Sequence, residues 1–292
     1  MTIRNKLYMG VDVGSVSLNI AVLDEDLRLL TSIYQRTKGE PISVLVDVLS
    51  QLQDKYPYID GAISTGSARF LISDILGIGC ENEILTQARA IAHFHPEART
   101  VIEIGGQDSK LIFMEDDGRT RQPVLVDHAL NEICAAGTGS FLDQQANRLG
   151  ISIEDGFENL VLKANRPATI AGRCSVFAKS DMIHLQQEGT SIEDILAGLC
   201  YALARNYISN LGKGKKFKKP IAFQGGVAAN KGVVNALEDL LGLEPGELII
   251  PQHFRIMGAI GAAIMAMEKK DGVSLDLTRA VQVIQIHLHL AQ

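Results

Sequence analysis

The feature that most constrains this chain is a pattern that occurs twice, 91 positions apart (103 − 12 = 91). An apolar run meets an acid, then a glycine, a short polar turn, a second apolar run and an acidic turn. The first copy, residues 8–26, contains GVDVGSVS and ends at Asp24-Glu25-Asp26; the second, residues 101–118, contains EIGGQDS and ends at Glu115-Asp116-Asp117. Asp12 and Glu103, Gly14 and Gly105, and Asp24 and Glu115 all keep the offset of 91. Each copy predicts two strands joined at a glycine turn. The duplication predicts an α/β chain with two related sheets.

A third glycine turn, FQGGVAAN at 223–230, follows the strand-like 220–222. Apolar periodicity predicts helices over 42–52, 140–149, 192–211 and 258–268. The last opens with Gly258-Ala259-Ile260-Gly261, so another backbone can approach it closely. The lysine-rich stretch 213–219 reads as a solvated loop. The end of the chain alternates as Ile284-Gln285-Ile286-His287-Leu288-His289-Leu290, which predicts a strand in a peripheral tail of residues 273–292.

Composition removes several function classes. A chain of 292 residues buries roughly 75% of its unfolded surface and needs no staples. A net charge of −6 argues against a dedicated nucleic-acid binder. The first apolar run breaks at Asp12, too early for a signal peptide, and the run 257–267 is too short to span a bilayer. A cytoplasmic protein is expected, so Cys80, Cys134, Cys174 and Cys200 are not expected to form structural disulfides. No two of them form a C-x-x-C pair, which argues against a self-contained zinc site.

No G-x-x-x-x-G-K-[ST] loop is present. Instead, two glycine turns each follow an acid. Turns rich in Gly, Ser and Gln expose backbone N–H groups at one spot and make anion nests. Acids beside them (Asp12, Glu103 and Asp108) can hold Mg²⁺ through water, because Mg²⁺ prefers oxygen ligands and keeps several waters. The third turn, Gly225-Gly226-Val227, can lie flat against an adenine or ribose.

Two cysteines stand before helix-like runs: Cys134 in NEICAAGTGSF and Cys174 in GRCSVFAKSD. Taken alone, each reads as a packed thiol, a reactive nucleophile or a metal ligand. Cys200 sits in an apolar helical run and reads as core, and Cys80 reads as a plain thiol in a loop.

The order GVDVGSVS, EIGGQDS, FQGGVAAN and MGAIGAA resembles the phosphate-1, phosphate-2, adenosine and second connecting motifs of the actin, Hsp70 and sugar-kinase superfamily, over residues 5–270. The resemblance implies two duplicated α/β domains with ATP in the cleft between them: 1–95 plus 251–272, and 96–250. It implies nucleotide contacts from Gly14, Ser15, Val16, Ser17, Leu18, Asn19, Gly105, Gly106, Gly137, Gly139, Gly225, Gly226, Asn230 and Gly258. Asp12, Glu103, Gln107 and Asp108 become the catalytic set, with Asp12 and Glu103 on Mg²⁺.

The pair CAAGTG and GRCSVFAKSD further resembles the ATPase activators of 2-hydroxyacyl-CoA dehydratases and the related ATPase subunits of benzoyl-CoA reductase. That resemblance implies a homodimer in which Cys134 and Cys174 of both chains hold one oxygen-sensitive [4Fe-4S] cluster. It implies an ATPase that gives one electron to a dehydratase, a reductase or a double-cubane protein, fed by a ferredoxin or flavodoxin. Glu103 departs from the pattern, which has Asp there, and being one methylene longer it changes the reach to a metal. Two other functions compete. A small-molecule kinase would use Asp127 or Asp108 as base and leave both cysteines unexplained. A nucleotide switch without redox chemistry would need a filament surface or an added binding domain.

Overall fold

Each copy of the repeat folds as an antiparallel strand pair closed at its glycine turn. The computed structural model describes residues 5–118, 122–131, 135–172, 174–269 and 273–290. The chain divides into two units: the first runs to Pro96 and resumes at Arg255, and the second is Glu97–Phe254.

The first unit begins with β1 (Leu7–Val13), β2 (Ser17–Asp24) and β3 (Leu29–Arg36). These lead to α1 (Pro41–Leu52), β4 (Tyr58–Ile59), β5 (Gly61–Thr65), α2 (Arg69–Leu76), β6 (Gly79–Cys80) and α3 (Glu83–Phe94). Pro41 opens α1, where its missing N–H costs nothing. The Asn82 side chain caps α3 by accepting from the Ile84 N–H at 2.8 Å. Cys80, expected in a loop, lies in the short strand β6.

The second unit holds β7 (Thr100–Ile104), β8 (Ser109–Asp116), β9 (Pro123–Asn131) and a 3₁₀ turn at Ala135–Gly137. Four helices follow: α4 (Gly139–Arg148), α5 (Phe157–Val161), α6 (Ser175–Gln187) and α7 (Ile192–Leu211). The unit closes with β10 (Ile221–Gln224), a 3₁₀ turn at Gly226–Ala229, α8 (Lys231–Leu241) and β11 (Leu248–Ile249). The basic loop spends three lysines on surface ion pairs: Lys215 with Asp127, Lys218 with Glu115 and Lys219 with Glu247.

The chain returns to the first unit with α9 (Met257–Glu268), β12 (Leu275–Asp276) and α10 (Leu277–Leu290). The expected terminal strand is therefore a helix, and it is not peripheral. Leu277, Ala280, Val281 and Ile284 are buried in the core shared with β1, β2 and α1. Their spacing is helical, and burying that face outweighs the local alternation after Ile284. α9 is apolar nearly all round and buried. A Cβ at Gly10 would meet the Ala259 carbonyl at 1.8 Å, and one at Gly261 would meet the Thr86 carbonyl at 1.8 Å, so glycine lets α9 lie against β1 and α3.

The sheets show the duplication directly. The first has strand order β3-β2-β1-β5-β6 and the second β9-β8-β7-β10-β11, with β1–β5 and β7–β10 both parallel. The register is conserved as well. Met9↔Val22, Asp12↔Asn19 and Val13↔Leu18 become Thr100↔Phe113, Glu103↔Lys110 and Ile104↔Ser109. Among the described residues no helix is long and apolar enough to cross a membrane.

Candidate functional site

In the first unit the site grows from the end of β1. Asp12 pairs across to Asn19, whose Nδ2 donates to Asp12 Oδ2 at 3.2 Å. Glycine backbone walls this carboxylate. A Cβ at Gly258 would stand 2.5 Å from Oδ2, and one at Gly66 would stand 2.5 Å from Oδ1. The turn after Asp12 closes through the Gly14 N–H on the Ser17 carbonyl at 3.0 Å. Thr37, buried, braces it from one side, its N–H donating to the Val16 carbonyl at 2.9 Å and its hydroxyl to the Ser15 carbonyl at 3.3 Å. A trans peptide points its N–H opposite to its C=O. The Val16 and Ser17 N–H groups therefore point away from Thr37, as an anion nest requires.

The second unit repeats this construction. The Gly105 N–H donates to the Asp108 carbonyl at 3.0 Å. The start of α4 supplies the brace: the Gly139 N–H donates to the Gly105 carbonyl and the Ser140 N–H to the Gly106 carbonyl, both at 2.8 Å. The Ser140 hydroxyl adds a bond to the Gly106 carbonyl at 2.5 Å. By the same peptide geometry the Gly106 and Gln107 N–H groups point away from α4. Glu103 lies under a glycine wall of its own, with a Cβ at Gly225 falling 2.8 Å from Oε1 and one at Gly105 falling 3.4 Å from it. Gly225 has φ +89°, and a Cβ there would also meet the Ile104 carbonyl at 2.4 Å. Lys110, buried, reaches Glu103 Oε2 and Asp108 Oδ2, both at 2.9 Å.

The structure thus gathers Asp12, Asn19, Gly14, Ser15, Val16, Ser17 and Gly258 at one turn, and Glu103, Gly105, Gly106, Asp108, Gly139 and Gly225 at the other. Gln107 is exposed beside the second turn, and Gly226 opens the 3₁₀ turn that follows Gly225. Three of the expected contact residues also have structural work. Leu18 is fully buried core. Gly137 packs under α7, where a Cβ would fall 2.8 Å from Asn206 Oδ1. Asn230 caps α8, its Oδ1 accepting from the Gly232 N–H at 2.9 Å and the Val233 N–H at 3.3 Å. Asp127 lies exposed on the edge strand β9, and its hydrogen bond with Lys215 holds its carboxyl below the usual range.

Sequence reasoning missed Gly66, Thr37 and Lys110. The signal for Gly66 was present: Thr65 faces Asp12 across β1–β5 as Gln224 faces Glu103 across β7–β10. Gly66 and Gly225 follow directly, with φ +86° and +89°.

Cys174 is the N-cap residue of α6, partly exposed, with extended backbone. The segment before it is anchored on its own helix and on α7. The Ala171 N–H donates to Asp181 Oδ2 at 2.7 Å, and Asn206 Nδ2 donates to the Gly172 carbonyl at 2.5 Å. Helix starts carry free N–H groups and partial positive charge, which favour an anionic group bound beside them. Cys134 lies outside the described residues. Cys200 is fully buried and burial pushes its thiol far above the usual range, which makes it inert core. Among the described residues no three His, Cys, Asp or Glu side chains converge on a metal site.

The sequence profile of the BadF/BadG/BcrA/BcrD ATPase family matches residues 9–266. The chain belongs to this ATPase family. Among its relatives is the (R)-2-hydroxyglutaryl-CoA dehydratase activating ATPase of Acidaminococcus fermentans, 33% identical over 89% of this chain and 97% of that protein. The solved structure of component A of the Acidaminococcus fermentans dehydratase superposes with a TM-score of 0.79 at 30% identity, covering 90% of this chain and 98% of that one. The activator of the 2-hydroxyisocaproyl-CoA dehydratase from Clostridium difficile, solved with bound ADPNP, gives a TM-score of 0.77 at 29% identity, covering 90% and 95%. Sugar kinases share the fold of this BadF/BadG/BcrA/BcrD member at far lower identity.

Proposed function

We propose that this ATPase is the activator of an iron–sulfur partner, delivering single electrons at a potential lowered by ATP hydrolysis. The observation that carries the reading is the pairing, in one unit, of a phosphate-type turn with a cysteine at a helix start. α4 connects them. Its first two residues are hydrogen-bonded to Gly105 and Gly106, and its buried Gln145 lies 3.5 Å from the Ser175 carbonyl, next to Cys174. The family supplies the ATPase class, and the named relatives activate 2-hydroxyacyl-CoA dehydratases.

The residues divide the work as follows. The N–H groups of Val16, Ser17, Gly106 and Gln107 bind phosphate oxygens. Asp12, fixed by Asn19 and the two glycines, would hold Mg²⁺, which supplies charge neutralisation at the phosphates. Gln107 and Asp108 position the water that attacks the γ-phosphorus, so that the bond to the β-phosphate bridging oxygen breaks and ADP and phosphate leave. Gly225 and Gly226 offer a flat backbone to the nucleoside. Cys134 and Cys174 from two copies would hold a [4Fe-4S] cluster, which supplies one-electron transfer from a ferredoxin or flavodoxin to a partner's iron–sulfur centre. About 59 mV of shift in a one-electron potential changes the equilibrium tenfold, so hydrolysis can drive an uphill reduction.

Anaerobic purification tests the reading. The account expects a brown protein with ATPase activity and an EPR signal on reduction with dithionite that changes when Mg·ATP is added. A colourless protein that stays colourless after anaerobic reconstitution, but phosphorylates a sugar, would replace this reading with the kinase one.

A further inference from the structure

Lys110 breaks the symmetry of the repeat at the second turn. Its side chain is 3% exposed, and its ammonium stands 2.9 Å from Glu103 Oε2 and 2.9 Å from Asp108 Oδ2. The register places it opposite Glu103, as Asn19 is placed opposite Asp12. Asn19 is neutral and donates one hydrogen bond to its acid. Lys110 puts a full charge in the same place and takes a second carboxylate from the turn itself. Two carboxylates around one central cation is also how divalent ions are bound by proteins.

The lysine is held from its backbone too. Strand β8 is flanked by β7 and β9, and the Tyr207 hydroxyl of α7 donates to the Lys110 carbonyl at 2.7 Å. Tyr207 is itself fully buried, so α7 packs directly behind the lysine. On the other face of the turn, the Asp108 carbonyl accepts from the Gly105 N–H at 3.0 Å. Asp108 is thus tied at its backbone to the glycine and at its side chain to the lysine. Moving the ammonium would take from Glu103, itself buried, the cation that offsets its charge at 2.9 Å.

We propose that Lys110 is the built-in cation of the second turn, a positioning residue that fixes Glu103 and Asp108 and keeps Mg²⁺ off that pair. The two acids of the repeat then have different jobs. Asp12 carries the metal, and Glu103 is a fixed anchor for the lysine and the turn. This narrows the expected role of Glu103 as an Mg²⁺ ligand. The inference rests on the ATPase reading only for its consequence in nucleotide binding.

The test measures Mn²⁺ binding to the full chain by the EPR signal of free Mn²⁺, with and without ADP. Lys110→Asn copies the first turn's Asn19 into the second. The variant is expected to bind Mn²⁺ without nucleotide about tenfold more tightly than the wild type, and the added Glu103→Gln change is expected to abolish the gain. Lys110→Arg, which keeps the charge, is expected to match the wild type. Glu103→Gln alone is expected to keep the gain in Mn²⁺ affinity that ADP gives within about threefold of wild type. Unchanged Mn²⁺ affinity in folded Lys110→Asn, or loss in Glu103→Gln of the gain in Mn²⁺ affinity that ADP gives, would overturn the proposal. If circular dichroism shows Lys110→Asn unfolded, the Glu103→Gln arm decides alone. A wild type that binds no nucleotide would sink the ATPase reading, while the nucleotide-free arm would still judge Lys110.

Discussion

Glycine at this site is a requirement of geometry. Gly225 holds φ +89° with its missing side chain aimed at the Ile104 carbonyl, 2.4 Å from where a Cβ would be. Gly39 holds φ +90° with nothing within 4 Å. The pair separates strain from collision. Gly39→Ala is expected to cost about 1–2 kcal/mol, the strain of a left-handed backbone alone. Gly225→Ala adds overlap with a strand carbonyl and the Glu103 carboxylate, and is expected to cost at least about 2 kcal/mol more. Urea midpoints for the two variants check this, and equal losses would mean that the wall around Glu103 yields easily. Gly225 was legible from sequence because it sits in a doubled glycine after a strand. Gly66, alone in STGSARF, became meaningful only through the β1–β5 register. Thr37 and Lys110 belong to the same class, since their partners are fixed by tertiary pairing across strands.

At the scale of elements, the prediction that separates reading from structure concerns α10. Ile284 is fully buried beneath it, and Ile284→Ala is expected to cost about 2–5 kcal/mol, read as a lowered urea midpoint. A surface strand at this place would lose almost nothing. The strand reading arose because the last seven residues of the pattern alternate apolar and polar. Residues 277, 280, 281, 284 and 288, taken together, carry the helical period, and their partners lie in β1, β2 and α1, far away in sequence. The duplicated hairpins were readable for the opposite reason: each is one local strand–turn–strand with its pairing set by the turn itself.

The start of α7 gives a pH-dependent case. Asp194 accepts the Asn165 N–H at 2.9 Å and the Arg166 N–H at 2.7 Å, and the Arg166 bond above all holds its carboxyl below the usual value. A depressed folded value means that the stabilisation is present above the unfolded carboxylate pKa of about 3.9 and is lost as pH falls through the folded one. The stability gap between wild type and Asp194→Asn is therefore expected to be open near pH 7 and to close as pH is lowered below about 4. A gap that stays constant over that range in urea titrations would show that the loop from Asn165 is held by other contacts.

For the whole molecule, duplication explains the arrangement and divergence explains the chemistry. One strand order and one register occur in both units, with an acid, a glycine turn and a positive-φ glycine in the same places. The first unit has a neutral partner for its acid and a core closed by α10. The second has Lys110, the α4 brace and the anchored segment that ends at Cys174. The phosphate turns occur in both units and the anchored cysteine segment in the second, and the proposed function depends on their being coupled.

The most direct measurement is iron and acid-labile sulfide content after anaerobic purification, for the wild type, Cys174→Ala and Cys134→Ala. The account predicts about four irons and four sulfides per two chains, lost in both variants while Cys200→Ala keeps them. An iron-free wild type after anaerobic reconstitution, or iron that survives the loss of Cys174, would contradict it.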